Sequence, residues 1–294
     1  MQLFNGLKAT IKQDEPLAPY TWYRLGGPAD YLVEPDTVDD LQTVVCRCQA
    51  EGIPVYVLGS GANLLVADGG VRGVVIRLSG DAFRSVELDQ ATARLTVGAG
   101  ADMGKLVLRS VHEGFSGLEP LTGIPGTIGG CVRMNAGGAF GDIGSVVDTV
   151  TVMTEEGEIF QRHRSDLVFG YRSSNINSKF ILSATFQLAE DDPHRILKQT
   201  KEIWIYKRNT QPFGGRSAGC VFKNPRGMSA GALVDKAGMK GRRVGGAQVS
   251  EKHANFIIAH EGATAFDVLR LIDMCRDAVA REFGVNLEKE IDVW

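Results

Sequence analysis

Residues 122–138 read TGIPGTIGGCVRMNAGG, and this stretch carries much of the information on the fold that the sequence contains. Six of its 17 residues are glycine, so the backbone can turn sharply there and a ligand can approach it closely. Pro125 restricts the same stretch and lowers the entropy that is lost when the loop becomes ordered. A second stretch, LGSGANLLV at residues 58–66, has the same character. Successive amide groups in such loops are typical of anion-binding sites.

Glycine is in excess over the whole chain, with 36 among 294 residues against an average usage of about 7%. No Gly-X-Y period accompanies the excess, which excludes a collagen, and the 44% hydrophobic content excludes a disordered chain. Four windows hold 27 of the 36 glycines: 59–73, 98–104, 114–144 and 214–246. We therefore expect these glycines to mark backbone that lies against bound ligands.

The overall composition narrows the class of protein further. The formal net charge of −3 provides no basic field for nucleic acid or an anionic membrane. Five scattered cysteines without a CxxC pair indicate reduced thiols, and the dispersed histidines predict no metal site. The N-terminal residues lack the apolar segment of a signal peptide, and no apolar run approaches 18 residues. The sequence predicts a soluble cytoplasmic protein.

Apolar spacing and capping residues predict that helices and strands are interspersed along the chain. The predicted helices are 38–51, 102–113, 194–209 and 264–283, with Gly114 ending the second and Thr264 opening the last. The predicted strands are 53–59, 71–78, 94–98, 146–153 and 180–188. A hairpin turn is predicted at 155–158, and residues 114–144 are expected to be mostly turns and loop.

Two known motifs occur in incomplete form. Residues 98–104 (GAGADMG) follow a strand and open a helix, but the third glycine of a dinucleotide fingerprint comes one residue late. Packing of a strand–turn–helix unit is therefore the preferred interpretation. Gly215-x-Ser217-x-Gly219 fits the nucleophile motif of serine hydrolases, which needs a buried strand before it and a helix after it. Here a polar, proline-containing segment precedes the motif, and a strand-like segment that Pro225 ends follows it. A hydrolase is kept as a weak alternative.

Four segments in a fixed order carry a resemblance that none would carry alone. They are LGSGANLLV at 58–66, TGIPGTIGG at 122–130 continuing into MNAGG at 134–138, YRSS at 171–174 and SAGCVFKNP at 217–225. On these segments the sequence resembles the UDP-N-acetylenolpyruvoylglucosamine reductases, in the short form that lacks a tyrosine-bearing loop insertion. The resemblance extends from TWYRLGGP at 21–28 to LEKE at 287–290.

This resemblance implies an α+β protein. Its flavin module has the vanillyl-alcohol-oxidase (PCMH-type) FAD-binding fold in two subdomains, and a C-terminal α+β substrate-binding domain follows. The subdomains are predicted at 1–80 and 81–190 and the substrate-binding domain at 191–294, with the polar, proline-containing stretch 189–194 at the boundary. In this fold loop amides hold the FAD pyrophosphate, which agrees with the incomplete dinucleotide fingerprint.

Both glycine-rich loops are therefore expected to hold FAD. Their glycines allow amide groups to turn toward the pyrophosphate, and serine, asparagine and threonine side chains add donors. The residues expected to bind the cofactor are Gly59, Ser60, Gly61, Asn63, Leu64, Gly123, Ile124, Gly126, Thr127, Gly129, Asn135 and Gly137.

The resemblance also implies the reaction. NADPH reduces FAD, flavin N5 delivers hydride to the methylene carbon of an enolpyruvyl ether, and a proton must reach the adjacent carbon. Arg172, which carries a fixed and always charged fork, is expected to stabilise the substrate carboxylate. Cys220 aligns with the serine that usually donates the proton, and Glu290 with the acidic partner. A thiol, with an unperturbed pKa of about 8.5, releases a proton more readily than an alcohol.

Further residues are candidates for proton donation and for substrate binding. Ser217 is a second candidate for the proton donor, three residues out of register with the family pattern. Tyr171, Lys207 and Asn224 are expected to bind the UDP-sugar, with Arg208 and Lys223 as further candidates. One pocket is expected to accept NADPH and then the UDP-sugar, in a monomer or weak oligomer. The alternative from another class is a flavin-binding protein without catalysis.

Overall fold

The computed structural model describes residues 2–294. Among these residues, no helix is both long enough and apolar enough to cross a membrane. The helices are α1 (Val38–Ala50), α2 (Met103–Glu113), α3 (Ile128–Arg133), α4 (Pro193–Thr210), α5 (Ala230–Lys236) and α6 (Ala265–Phe283).

The strands are mostly short. They are β1 (Ala9–Pro16), β2 (Pro28–Pro35), β3 (Val55–Leu58), β4 (Leu64–Leu65), β5 (Val71–Arg77), β6 (Val86–Asp89), β7 (Arg94–Gly98), β8 (Phe115–Ser116), β9 (Gly137–Gly138), β10 (Gly141–Asp142), β11 (Val147–Met153), β12 (Ile159–His163), β13 (Phe169–Gly170), β14 (Ser173–Ser174), β15 (Phe180–Gln187), β16 (Ala189–Glu190), β17 (Arg243–Val244), β18 (Ala247–Val249), β19 (Ile257–Ala259) and β20 (Asp292–Val293).

The chain forms two compact units, each with its own apolar core. The first comprises residues 2–13, 31–59 and 73–206, and the second comprises residues 14–30, 60–72 and 207–294. The second unit therefore assembles from three stretches that are far apart in sequence. The boundaries expected near 80 and 190 stay a prediction.

The first unit is built on sheets. In one sheet the strand order is β1-β2-β5-β3, with β3 parallel to β5, and in the other, antiparallel sheet the order is β12-β11-β15-β7-β6. The central strand β15 pairs Ala184 with Val97 of β7, and both side chains are buried in the core. The β11–β12 hairpin confirms the predicted turn at 155–158.

Helix α2 shows why the sequence predicted its position correctly. Its buried residues, Met103, Leu106, Val107, Ser110 and Val111, follow the i, i+3, i+4, i+7, i+8 spacing of one helix face. The Asp102 carboxylate accepts a hydrogen bond from the Lys105 amide at 2.8 Å and caps the first turn. Gly114 ends the helix with a φ of +78°, a left-handed conformation that glycine adopts without strain.

Helix α6 organises the core of the second unit. It buries Val268, Leu271, Ile272, Cys275 and Val279 along one face, as its apolar spacing predicts. Strands β17, β18 and β19 form a three-stranded antiparallel sheet, and β20 pairs with β4 in parallel.

Asp68 caps α6 from a distant part of the second unit. Its carboxylate accepts hydrogen bonds from the amides of Ala265 at 2.8 Å and Phe266 at 3.0 Å. Because these amides have no partner within the helix and its N-terminus favours negative charge, we expect Asp68→Ala to lower the free energy of unfolding by about 1 kcal/mol. Urea denaturation measures this loss. Asp277→Ala, which removes an exposed carboxylate of the same helix, should cause none, and an equal loss in both variants would refute the capping role.

Candidate active site

The two glycine-rich loops adjoin in the first unit, where Gly59 follows β3. A Cβ atom on Gly59 would lie 2.8 Å from Thr127 Oγ1, so only glycine leaves room for the second loop. Thr127 caps α3 by accepting a hydrogen bond from the Gly130 amide. The Gly129 amide donates to the Ala99 carbonyl at 2.8 Å. The window 98–104 is thus the packing partner of the second loop, as the strand–turn–helix interpretation predicts.

The remainder of the first loop, residues 60–63, lies in the second unit. Gly61 has a φ of +65°, and a Cβ atom there would lie 2.2 Å from the Tyr20 carbonyl oxygen. The Gly61 carbonyl accepts from the Trp22 amide at 3.1 Å, which fixes the loop. Within the described residues, the amides of Ser60, Gly61 and Ala62 donate no hydrogen bond to the protein. A fixed loop with such amides fits an anionic group such as the FAD pyrophosphate.

Tyr171 and Arg172 form the two-residue tip of the hairpin between β13 and β14 in the first unit. Arg172 has a φ of +52°, a left-handed conformation that is strained for a residue with a Cβ atom. Its guanidinium carbon lies 5.0 Å from the centroid of the Tyr171 ring. Strain of this kind at a charged residue in a turn is typical of functional positions.

Cys220 lies half-buried in the second unit, immediately before Val221 and Phe222, whose backbone is fixed by hydrogen bonds to one residue. The backbone carbonyl of buried Asn255 accepts from the Val221 amide at 2.8 Å. Its side chain accepts from the Phe222 amide at 2.9 Å and donates to the Phe222 carbonyl at 2.8 Å. Asn255 therefore fixes the backbone next to Cys220. No motif surrounds Asn255 in the sequence, so this role is visible only in the structure.

Glu290 lies beside the same segment. Its amide donates to the Val221 carbonyl at 2.7 Å, and Phe222 and Lys289 form an antiparallel bridge. The Glu290 carbonyl accepts from the Asn63 side chain at 3.1 Å. The backbone of Glu290 is therefore held on one side by the segment that follows Cys220 and on the other by the first glycine-rich loop.

The environments of the cysteines differ in a way that matters for proton transfer. Burial raises the pKa of the Cys48 thiol to about 11 and those of Cys131 and Cys275 to about 12. These thiols hold their protons too tightly to serve as acids. Cys46 and Cys220 are less buried than these three, and the Cys46 thiol lies 3.4 Å from the Glu156 carbonyl.

The sequence matches two family models. The FAD binding domain matches residues 29–162, and the C-terminal domain of UDP-N-acetylenolpyruvoylglucosamine reductase matches residues 211–294. UDP-N-acetylenolpyruvoylglucosamine reductase 2 of Symbiobacterium thermophilum is 43% identical over 286 residues, which cover 97% of this chain and 92% of that protein. The chain belongs to the UDP-N-acetylenolpyruvoylglucosamine reductase family.

Two further members of the reductase family agree with this. The UDP-N-acetylenolpyruvoylglucosamine reductase of Moorella thermoacetica is 41% identical over 294 residues, covering 100% of this chain and 96% of that protein. The crystal structure of the Thermus caldophilus reductase matches with a TM-score of 0.84 and 38% identity, over 98% of this chain and 99% of that one. These matches and the FAD-binding match confirm the predicted fold class.

The hydrolase alternative is wrong for this member of the reductase family. Ser217 is buried, whereas a nucleophile must be exposed at a strand-to-helix turn. No helix follows it directly, because α5 begins only at Ala230.

The site residues predicted from the resemblance to the reductase family are divided between the two units. The first unit holds Gly59, Gly123, Ile124, Gly126, Thr127, Gly129, Asn135, Gly137, Tyr171 and Arg172, and the second holds Ser60, Gly61, Asn63, Leu64, Lys207, Cys220, Asn224 and Glu290. Within its unit, the structure joins Gly59 to Thr127 and the Cys220 segment to Glu290. Lys207 is only 4% exposed, whereas Asn224 is exposed and its side chain accepts from the Ala230 amide at 2.9 Å.

Proposed function

We propose that the chain is an FAD-dependent oxidoreductase that uses NADPH to reduce UDP-N-acetyl-3-O-(1-carboxyvinyl)glucosamine to UDP-N-acetylmuramate in peptidoglycan biosynthesis. The observation that supports this most directly, beside family membership, is the hydrogen bond from the Glu290 amide to the Val221 carbonyl. It brings the backbone of the acidic partner to the residue that follows the candidate proton donor. An acid and a thiol on adjoining segments suit a reaction that must deliver one proton to carbon.

The residues of both glycine-rich loops fit FAD. The amides of Ser60, Gly61 and Ala62 would bind the pyrophosphate, and Thr127 would add a hydroxyl donor. Bound FAD would supply the redox chemistry, accepting hydride from NADPH and delivering it to the methylene carbon of the enolpyruvyl group.

The chain's own residues stabilise the developing negative charge and supply the proton. Hydride addition turns the methylene carbon into a methyl group and places negative charge on the adjacent carbon and its carboxylate. Arg172 binds that carboxylate and stabilises the charge. Cys220 Sγ donates its proton to the adjacent carbon, and the resulting thiolate regains a proton from solvent. Glu290 orients the carboxylate end of the substrate and the thiol of Cys220.

Binding of the UDP-sugar is assigned to Tyr171, Lys207 and Asn224. Lys207 is a cation that is almost fully buried, which suits an anionic group such as the diphosphate, and Tyr171 offers an exposed ring. We further propose that the protein works in the cytoplasm as a monomer or weak oligomer, without nucleic acid or membrane.

The proposal predicts steady-state turnover. Oxidation of NADPH should depend on the enolpyruvyl UDP-sugar, the product should be two hydrogen atoms heavier, and double-reciprocal plots should be parallel because both substrates use one site in turn. Absorbance at the NADPH band together with mass spectrometry of the product tests this. A protein that carries flavin but oxidises no NADPH in the presence of the UDP-sugar would instead be the non-catalytic flavin-binding alternative.

A further inference from the structure

The hairpin that carries Arg172 is too short to hold its own shape. Strands β13 and β14 have two residues each, and a hairpin of this size has little stability by itself. The strained φ of +52° at Arg172 adds a cost that surrounding structure must offset. The groups that bind the base of the hairpin therefore determine where the guanidinium lies.

Asn135 binds the base of this hairpin with its side chain. The amide nitrogen Nδ2 donates to the Gly170 carbonyl at 2.9 Å, and Oδ1 accepts from the Gly144 amide at 2.9 Å. Asn135 is only 2% exposed and has a φ of +49°. Both ends of the Asn135 side-chain amide therefore have partners inside the protein. One of these partners, Gly170, lies two residues before Arg172.

The neighbouring residue Arg133 binds the other strand of the hairpin. Its carbonyl accepts from Ser174 Oγ at 2.7 Å, and its guanidinium donates to the carbonyls of Ser178 at 2.5 Å and Lys179 at 3.0 Å. Residues 133–135 lie at the end of α3, whose N-terminus is capped by Thr127 of the second glycine-rich loop. One short element therefore connects that loop to both strands of the Arg172 hairpin.

We propose that Asn135 is a positioning residue for Arg172, and that it acts by holding Gly170 at the base of the hairpin. This departs from the expectation that Asn135 is a ligand of FAD, because its side-chain amide already binds Gly170 and Gly144. The inference rests on the proposed role of Arg172 in binding the substrate carboxylate. A displacement of about 1 Å at such a group can lower a rate by about 100-fold.

The variant Asn135→Asp tests the inference in the flavin-loaded protein. Aspartate tolerates positive φ and keeps an acceptor for Gly144, but it loses the donor to Gly170. We expect bound FAD and flavin reduction by NADPH to change less than twofold, while kcat/KM for the enolpyruvyl UDP-sugar falls by about 10- to 100-fold. The matched control is Asn177→Asp, which adds the same charge at an exposed position and should leave kcat/KM unchanged.

A double variant separates positioning from a general structural role. If Asn135 acts through Arg172, Asn135→Asp combined with Arg172→Ala should be no slower than Arg172→Ala alone. The inference would be overturned if the losses in kcat/KM of the two single variants multiplied in the double variant, or if Asn135→Asp left kcat/KM unchanged. Equal losses of FAD binding and of both half-reactions in Asn135→Asp would also overturn it. Asn135→Gly, which also suits positive φ, replaces the first variant if that one does not fold. Absence of turnover in the unaltered protein would instead contradict the proposed function.

Discussion

Replacing Cys220 by alanine should slow the second half of the reaction strongly while leaving the first half intact. NADPH should still bleach the bound flavin at the normal rate, because flavin reduction needs no proton from Cys220. Transfer to the enolpyruvyl UDP-sugar should slow by about 10²- to 10⁴-fold, which is the usual contribution of a positioned general acid. Stopped-flow absorbance of the flavin, recorded separately for each half-reaction, measures both rates. Cys220→Ser should retain more of the second rate than Cys220→Ala, because a hydroxyl can still donate a proton.

Two other substitutions make this result specific. Cys46→Ala removes the other half-buried thiol, which lies against the Glu156 carbonyl, and should change neither half-reaction. Ser217→Ala tests the competing register of the loop, in which Ser217 would be the donor. Normal turnover in Cys220→Ala together with a collapse in Ser217→Ala would show that Cys220 is not the donor.

Replacing Arg172 by alanine should have the second largest effect. Removing a charged donor from a carboxylate on which charge accumulates typically costs about 10²- to 10³-fold in rate, and we expect this loss in kcat/KM for the UDP-sugar. Flavin reduction by NADPH should remain. Alanine also has a Cβ atom, so the strain at φ +52° persists and the effect reports on the guanidinium. Arg172→Lys should recover part of the loss, because it restores the charge but not the planar fork.

An exposed arginine provides the comparison for this variant. The Arg195 side chain is 66% exposed and pairs with Asp191 at 3.5 Å on α4 and its preceding turn. Surface pairs of this kind contribute about 1 kcal/mol or less, so Arg195→Ala should leave kcat/KM unchanged. Equal losses in the two arginine variants would contradict the assignment of the substrate carboxylate to Arg172.

Regular elements were predictable where local signals were strong. Helix α2 has a complete apolar face, a capping aspartate at Asp102 and a C-terminal glycine, so the prediction of 102–113 agrees with Met103–Glu113. Strand β7 at Arg94–Gly98 agrees with the predicted 94–98. By contrast, α3 lies within a stretch expected to be turns and loop, because two glycines in six residues hide its helical character.

The site was less accessible to sequence reasoning because its geometry depends on distant partners. The bond between Asn63 and the Glu290 carbonyl joins residues 227 positions apart, and the parallel pairing of β4 with β20 joins residues 228 positions apart. Such pairing leaves no local pattern in two-residue strands. Membership in the glycine-rich loops predicts FAD contact for Asn63 and Asn135, but it gives no sign that their side chains also bond to the Glu290 and Gly170 carbonyls.

The glycine excess has two physical origins, and close approach of a ligand is only one of them. Gly61 and Gly59 lie in the glycine-rich loops, as expected. In contrast, a Cβ atom on Gly100 would lie 1.8 Å from the Leu78 carbonyl oxygen, and one on Gly246 would lie 2.4 Å from the Ala263 amide. These glycines permit close packing of backbone segments inside the fold. Gly246, in the window 214–246, therefore has a packing role that an expectation of ligand contact alone does not include.

Anaerobic titration of the flavin follows both half-reactions of the proposed reductase in one sample. The purified protein is expected to be yellow, and one equivalent of NADPH should bleach the flavin absorbance. Adding one equivalent of the enolpyruvyl UDP-sugar without oxygen should restore the absorbance in full, because the substrate is the acceptor of the hydride. A flavin that stays reduced after this addition, or a protein that binds no flavin, would contradict the proposed reduction of the enolpyruvyl UDP-sugar through FAD.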